Sequence, residues 1–458
     1  MKTKINLFLA LFCLAFAVSA QQNEECMEKL SIFTEAAKVK NYDAAMEPWM
    51  FVRKTCPKLN NAIYVYGEKI LKNKIKKSTG ADKTAAIKDL MSLYKESMAN
   101  MPKKFPVGKT KAKMGQLMFD EGFGTPIEQF NVFDEAYEKD AKTFQNPKSL
   151  YTYFKLAVGL YDNKTKDFQY LIDMYTKVTD KVEDERKNFS SKKDALLVKE
   201  EAGTITKKET RKLNSYSSFV SAYDQISGGI DKEIGTRAEC DNLVPLFEKN
   251  YEANKTNSTW LRNAASRLAG KDCSDAPIFA KLVASFHELE PSAKSALYLG
   301  ILNQKKGKTA DADKYYNEAA DLSTDNYDKA KIYYSRLAVM YSKKGAKGKA
   351  RAYANKALAK SPSMGRAYTL IAKMYASSAN SCGSTTFEKR AVYWLAANTA
   401  DKAGRVDASL KSYASKLAAN YRAKAPSKQD IFTNSKYKPG DKVTFGCWIG
   451  SSVTVPSL

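Results

Sequence analysis

Small residues recur along the second half of this chain at a nearly fixed interval, and that interval limits the architectures open to it. Gly300, Ala338 and Ala372, each preceded by Leu299, Leu337 or Ile371, are separated by 38 and 34 residues. Ala264 lies 36 residues before Gly300 and extends the series. In the two clearest units an alanine follows twelve residues later, from Gly300 to Ala312 and from Ala338 to Ala350. Ala319, Ala320 and Ala357 come next, Pro362 closes the second unit, and Tyr298, Tyr334, Tyr341, Tyr368 and Tyr375 flank the small positions. Units this short cannot bury a core alone, so they must stack on their neighbours. A small side chain on each of two helices lets the backbones approach, while aromatics plug the groove to the next pair. Lysine-rich turns at 305–308 and 343–347, each holding a glycine, stop the first helix and expose charge.

This pattern resembles the tetratricopeptide repeat family, whose units carry a small residue on the first helix and alanines on the second. The likeness is closest over 292–362, continues over 365–424 and is weakest over 260–291. It implies an all-α solenoid of helix hairpins, with the array over 236–425. A hairpin over 24–57, turning at Lys40-Asn41-Tyr42, reads as a degenerate repeat or a plain helical hairpin. The segment 426–458 is a different kind of sequence, interrupted by Pro426, Pro439-Gly440 and Gly446, and its runs 442–445 and 448–455 predict a small β-hairpin. The ending Gly446-Cys447-Trp448-Ile449 resembles the tails of exported tetratricopeptide-repeat proteins of Gram-negative bacteria. That likeness implies a role in envelope assembly or secretion and names no activity.

Between these regions, residues 21–235 read as a less repetitive helical region. Apolar spacing predicts helices over 61–77, 81–100, 127–144, 148–161, 167–188 and 192–214. Pro102, Pro106 and Gly108 predict a loop over 101–113. Ser227-Gly228-Gly229 and Gly235 place the main boundary near 229–236.

Residues 1–20 read as a secretory signal: Lys2 and Lys4, an apolar run, then Val18-Ser19-Ala20 before Gln21. Cys13 follows Leu11-Phe12, where a lipidated cysteine requires a small residue, so a lipoprotein is not expected. An exported chain meets an oxidising compartment, and Cys26, Cys56, Cys240, Cys273, Cys382 and Cys447 form an even set with fifteen pairings. Cys26 opens one predicted helix and Cys56 closes the next, which brings them together in an antiparallel hairpin. Cys240 and Cys273 bracket a second hairpin, leaving Cys382 for Cys447 in the tail. Free buried thiols are the alternative; zinc is disfavoured because no two cysteines stand at ligand spacing.

The catalytic inventory is thin. His287 is the only histidine, and near a helix C-terminus it reads as a favoured cation rather than a catalytic group. Segments 300–309 and 103–110 imitate a phosphate loop but miss its glycine spacing. Neither an enzyme nor a cofactor nor a resident metal is expected. No run beyond the signal is long enough for a membrane helix.

The formal charge of +25, of which Lys2 and Lys4 supply two, invites anionic partners. It is dense at Lys103, Lys104, Lys109, Lys111 and Lys113, at Lys72, Lys74, Lys76 and Lys77, and in the turn 343–351. Export and the lack of a stacking module disfavour nucleic acid. The leading expectation is a non-enzymatic envelope scaffold or adaptor, periplasmic, outer-membrane-associated or secreted, holding a protein or peptide on its concave face. Asn303, Arg336, Tyr341, Lys373 and Tyr375 are the candidate groove residues, since first helices normally line that face. The alternative is a binder of anionic envelope material, such as lipid A phosphates or acidic glycans, through the five lysines of the 101–113 segment.

Overall fold

In a computed structural model, which describes residues 23–457, nearly every segment is helical and the helices follow one another as antiparallel pairs. The proposed signal at 1–20 lies outside the described residues. The described residues form two compact units that divide between Leu171 and Ile172, and the change of repeat style near 229–236 falls inside the second.

The first unit contains α1 (23–38), α2 (Tyr42–Thr55), α3 (Ala62–Lys77), α4 (Gly80–Asn100), α5 (Val107–Asp120), α6 (Pro126–Asp140) and α7 (Pro147–Asp162). Asn41 starts α2 by accepting from the Ala44 amide, and Thr125 with Glu128 forms a capping box on α6. Trp49 is fully buried and donates its indole N–H to the Ile63 carbonyl at 2.8 Å. Gly67 makes room for that ring, since a Cβ there would stand 2.7 Å from it. A second apolar centre gathers Phe130, Phe133, Phe144 and Tyr153.

The 101–113 segment is not one loop. Residues 101–106 form the turn, and α5 begins at Val107 directly after Pro106, so Lys109, Lys111 and Lys113 are helical. Gly108 is required by closeness rather than by a bend: an added Cβ would meet the Asp140 carbonyl oxygen at 2.0 Å.

The helix α8 (Phe168–Glu201), in the second unit from Ile172 onward, forms a long antiparallel hairpin with α9 (Lys207–Ile234). The breaks expected at 189–191 and at Ser227-Gly228-Gly229 are absent. Phe189 stacks on Phe219 with ring centroids 4.5 Å apart and also meets Tyr223, so packing outweighs the helix-poor serines beside it. The true turn lies at Gly203, with φ +67°, followed by the Thr206–Glu209 capping box.

The helix pairs then succeed one another: α10 (Cys240–Asn254), α11 (Ser258–Gly270), α12 (Pro277–Leu289), α13 (Ala293–Lys305), α14 (Thr309–Leu322), α15 (Asn326–Ile332), α16 (Val339–Lys343), α17 (Lys347–Lys360), α18 (Gly365–Ala376), α19 (Thr386–Val406) and α20 (Lys411–Arg422). A π-helical turn, Tyr333–Ala338, joins α15 to α16. The small residues of the repeat pattern are all buried: Gly300, Ala312, Ala319, Ala320, Ala338, Ala350, Ala357 and Ala372. A Cβ on Gly300 would lie 2.4 Å from the ring of Tyr316, which fills the space between α13 and α14.

The tail adds α21 (Lys428–Thr433), which the sequence reading left out, and an antiparallel pair, β1 (Lys442–Phe445) with β2 (Ser451–Thr454). Cystines join Cys26 to Cys56, Cys240 to Cys273 and Cys382 to Cys447, with Cα atoms 6.4, 5.5 and 5.3 Å apart. Trp448 packs on Tyr375 and donates to the Ser378 hydroxyl at 3.1 Å, so the tail is held on α18 and the turn after it.

Candidate functional site

Each of the five groove candidates has contacts of its own. Asn303 spends its amide on the Leu299 carbonyl of its own helix at 2.8 Å. Arg336 is half-buried near Tyr316, and Lys373 lies over the Tyr413 ring. Tyr341 stacks on Tyr353 at 5.7 Å with Lys349 donating to its hydroxyl, while Tyr375 is covered by Trp448. Both tyrosines therefore serve packing between neighbouring elements. Helical spacing alone could not separate a groove position from an inter-repeat one.

The face offered by the first helices is instead lined by α8. Its polar residues meet the array in order along the chain. Asp180 accepts from Arg267 of α11 at 3.4 Å, and Glu183 is paired with Lys331 of α15. Lys187 reaches Asp328 at 2.7 Å. Asp194 accepts from the Ser361 hydroxyl at 2.8 Å and the Ser363 amide at 2.9 Å, and Glu201 meets Lys402 of α19 at 3.1 Å. Burial raises the Asp194 carboxyl above the usual range against the pull of the two serines. Apolar contact among Leu197, Leu213 and Val406 completes the track. No repeat signal marks α8 as the occupant of this face, because its contacts are long-range and polar.

A cavity of about 400 Å³ opens along this track, lined by α8, α9, α15, the π turn and the start of α18. Arg186 bonds to Asp224 at 2.5 Å and lies over the Tyr327 ring. Tyr334 and Ser335 reach the wall from the π turn, a local widening often found at functional positions.

The basic residues divide into spent and unspent. Lys111 is paired with Glu135, and Lys113 with Glu68 at 2.7 Å. Lys103, Lys104 and Lys109 are exposed with no ion pair among the described residues. In the turn after α16 and the start of α17, Lys344 donates to Thr309, Lys347 to Ser377 and Ser378, and Arg351 to the Ile449 carbonyl. These cations tie successive pairs together. His287 meets the Ser295 hydroxyl at 3.0 Å through Nδ1, beside the Ser292 cap of α13. Among the described residues no three His, Cys, Asp or Glu are grouped to hold a metal ion, and no helix is long and apolar enough to cross a membrane.

No family model and no curated protein matches the chain. Among solved structures, an IFIT1 monomeric mutant with m7Gppp-AAAA is 14% identical at a TM-score of 0.32, covering 79% of this chain and 80% of that one. Yeast Tom70 is 10% identical at 0.25, covering 90% and 98%. Naa15/Naa10 bound to HypK-THB gives 14% at 0.23, covering 87% and 66%. Likenesses at these TM-scores carry no weight, and the helical-hairpin architecture rests on the chain's own helices.

Proposed function

We propose that this chain is a non-enzymatic scaffold of the Gram-negative cell envelope that binds a protein or peptide partner on its repeat array. The observation that carries this reading is the combination of stacked helix hairpins with three cystines, one of which pins the tail to the array. Stacked hairpins offer an extended, chemically varied surface. Cystines suit an oxidising compartment, in keeping with the signal-like start and the tail motif. Because α8 lines the first-helix face of its own array, the partner surface is the remainder of the repeats, or that face after α8 shifts.

The direct test is capture from envelope extracts with the disulfide-intact mature chain as bait. A scaffold enriches a defined protein over a charge-matched control; equal recovery on both removes the reading.

A second reading, binding of anionic envelope material, is favoured by Lys103, Lys104 and Lys109, which project charge with no acid paired to them. Changing these three to Gln is expected to weaken binding to lipid A-containing vesicles at low salt by roughly tenfold. Unchanged binding eliminates it.

A further inference from the structure

The cavity beneath α8 is lined by polar groups whose hydrogen-bonding capacity divides unevenly. Its carboxylates are engaged. Asp224 accepts from Arg186, Glu183 from Lys331, and Asp407 from the Ser409 amide and hydroxyl at 3.1 and 2.6 Å, while Asp194, outside the lining, accepts from the lining residues Ser361 and Ser363. Two donors on α8 are not. Lys193 is 3% exposed and Ser190 2%, both line the cavity, and neither has a hydrogen bond or ion pair among the described residues. They stand with Arg186 on one stripe of α8, at helical spacings of four and three.

Lys193 lies in the field of Asp407, Asp194 and Asp224 yet hydrogen-bonds to none of them, so its ammonium, like the Ser190 hydroxyl, keeps its donor capacity for the cavity. The surroundings favour negative charge. The first turn of α18 lines the cavity, and a helix of twelve residues presents its positive end there. Arg366, in that turn, is exposed at the cavity wall. The volume falls in the range of small-molecule sites, about 300–1,000 Å³. Tyr327 and Tyr334 give the wall apolar surface beside the donors.

We infer that this cavity binds a small organic anion, a phosphate monoester or a carboxylate, with Lys193 and Ser190 as its buried donors and Arg366 at its edge. The charge-assisted bond to Lys193 supplies most of the affinity and the Ser190 hydroxyl orients the acceptor. Burial holds the Lys193 ammonium below the usual lysine range, while Asp407, Asp194 and Asp224 pull it up and Arg186 adds to the lowering. An anion in the cavity therefore strengthens the lysine's hold on its proton. The ligand would touch α8 and the array at once, so its binding joins the two. This site is separate from the exposed Lys103, Lys104 and Lys109.

The test is calorimetric titration of the disulfide-intact mature chain with glycerol 3-phosphate and, separately, citrate, at ionic strength held constant with sodium chloride. Saturable binding of either anion is expected, and which of the two binds distinguishes phosphate from carboxylate. Lys193→Met should weaken it at least tenfold, with the melting temperature of the unliganded variant measured alongside to show that it folds. Ser190→Ala should weaken it several-fold. A variant with Lys103, Lys104 and Lys109 changed to Gln should bind as the parent does. The inference is overturned by absence of saturable binding for both anions, by parental affinity in Lys193→Met, or by loss of binding in the surface variant. Should Lys193→Met fail to fold, Ser190→Ala decides alone: parental affinity there overturns the assignment.

Discussion

Gly300 shows how much one hydrogen atom can specify in a stacked array. Tyr316 occupies the space where its side chain would be, so Gly300→Ala must displace a fully buried ring. The expected loss is about 1–3 kcal/mol of unfolding free energy, read from chemical denaturation. Glu388 is the polar counterpart. Its carboxylate accepts from Lys436 at 2.8 Å, Tyr437 at 2.9 Å and the amides of Ser384 and Thr385 at 2.9 and 3.2 Å. With Lys436 the strongest influence, its pKa is lowered from the ordinary 4.5 to about 2. A depressed carboxylate stabilises the fold fully above its unfolded value and loses that contribution as the pH falls from about 4.5 toward 2. Glu388→Gln should cost about 1–3 kcal/mol at neutral pH and flatten the stability profile in that acidic window. The small residues were legible in the sequence because only a close approach explains their spacing. The full role of Glu388 was not, because Lys436 and Tyr437 lie 48 and 49 residues away.

Elements were legible where local signals and packing agree. The hairpins from α13 to α18 follow from alanine spacing, glycine turns and Pro362. The helices α8 and α9 did not, since Gly228 and Gly229 read as a stop while tertiary contacts carried the helix through them. The Lys-rich segment failed for the opposite reason: Pro106 ends a turn and also starts a helix, a position proline tolerates well. Cystines act at this same scale. The Cys240–Cys273 bridge closes a loop around α10 and α11, its ends separated by 33 positions in sequence. Replacing both cysteines with serine is expected to destabilise by about 2–5 kcal/mol. Hydrogen exchange should then rise first in α10 and α11, and uniform exchange across the second unit would contradict a local clamp.

Across the second unit, one set of contacts is announced by no repeat pattern, the run of α8 along the array. Asp194 is its best-made point, and Asp194→Ala would leave the Ser363 amide and Ser361 hydroxyl without their acceptor. A loss of about 1–3 kcal/mol is expected, together with faster hydrogen exchange in α8 and at 361–365; unchanged exchange in α8 would show that the apolar contacts at Leu197 suffice. The candidate groove residues rested on helical spacing alone, and a face cannot be assigned from sequence when another part of the chain competes for it. The polar contacts on α8 progress in step with the repeats from Asp180 to Glu201, about 30 Å of rigid rod at 1.5 Å per residue. A bare solenoid is a spring whose pitch can vary; this one carries a splint fixed at several points along its length. Pulling on the array would therefore meet stiff resistance until the splint lets go, then yield abruptly at lower force.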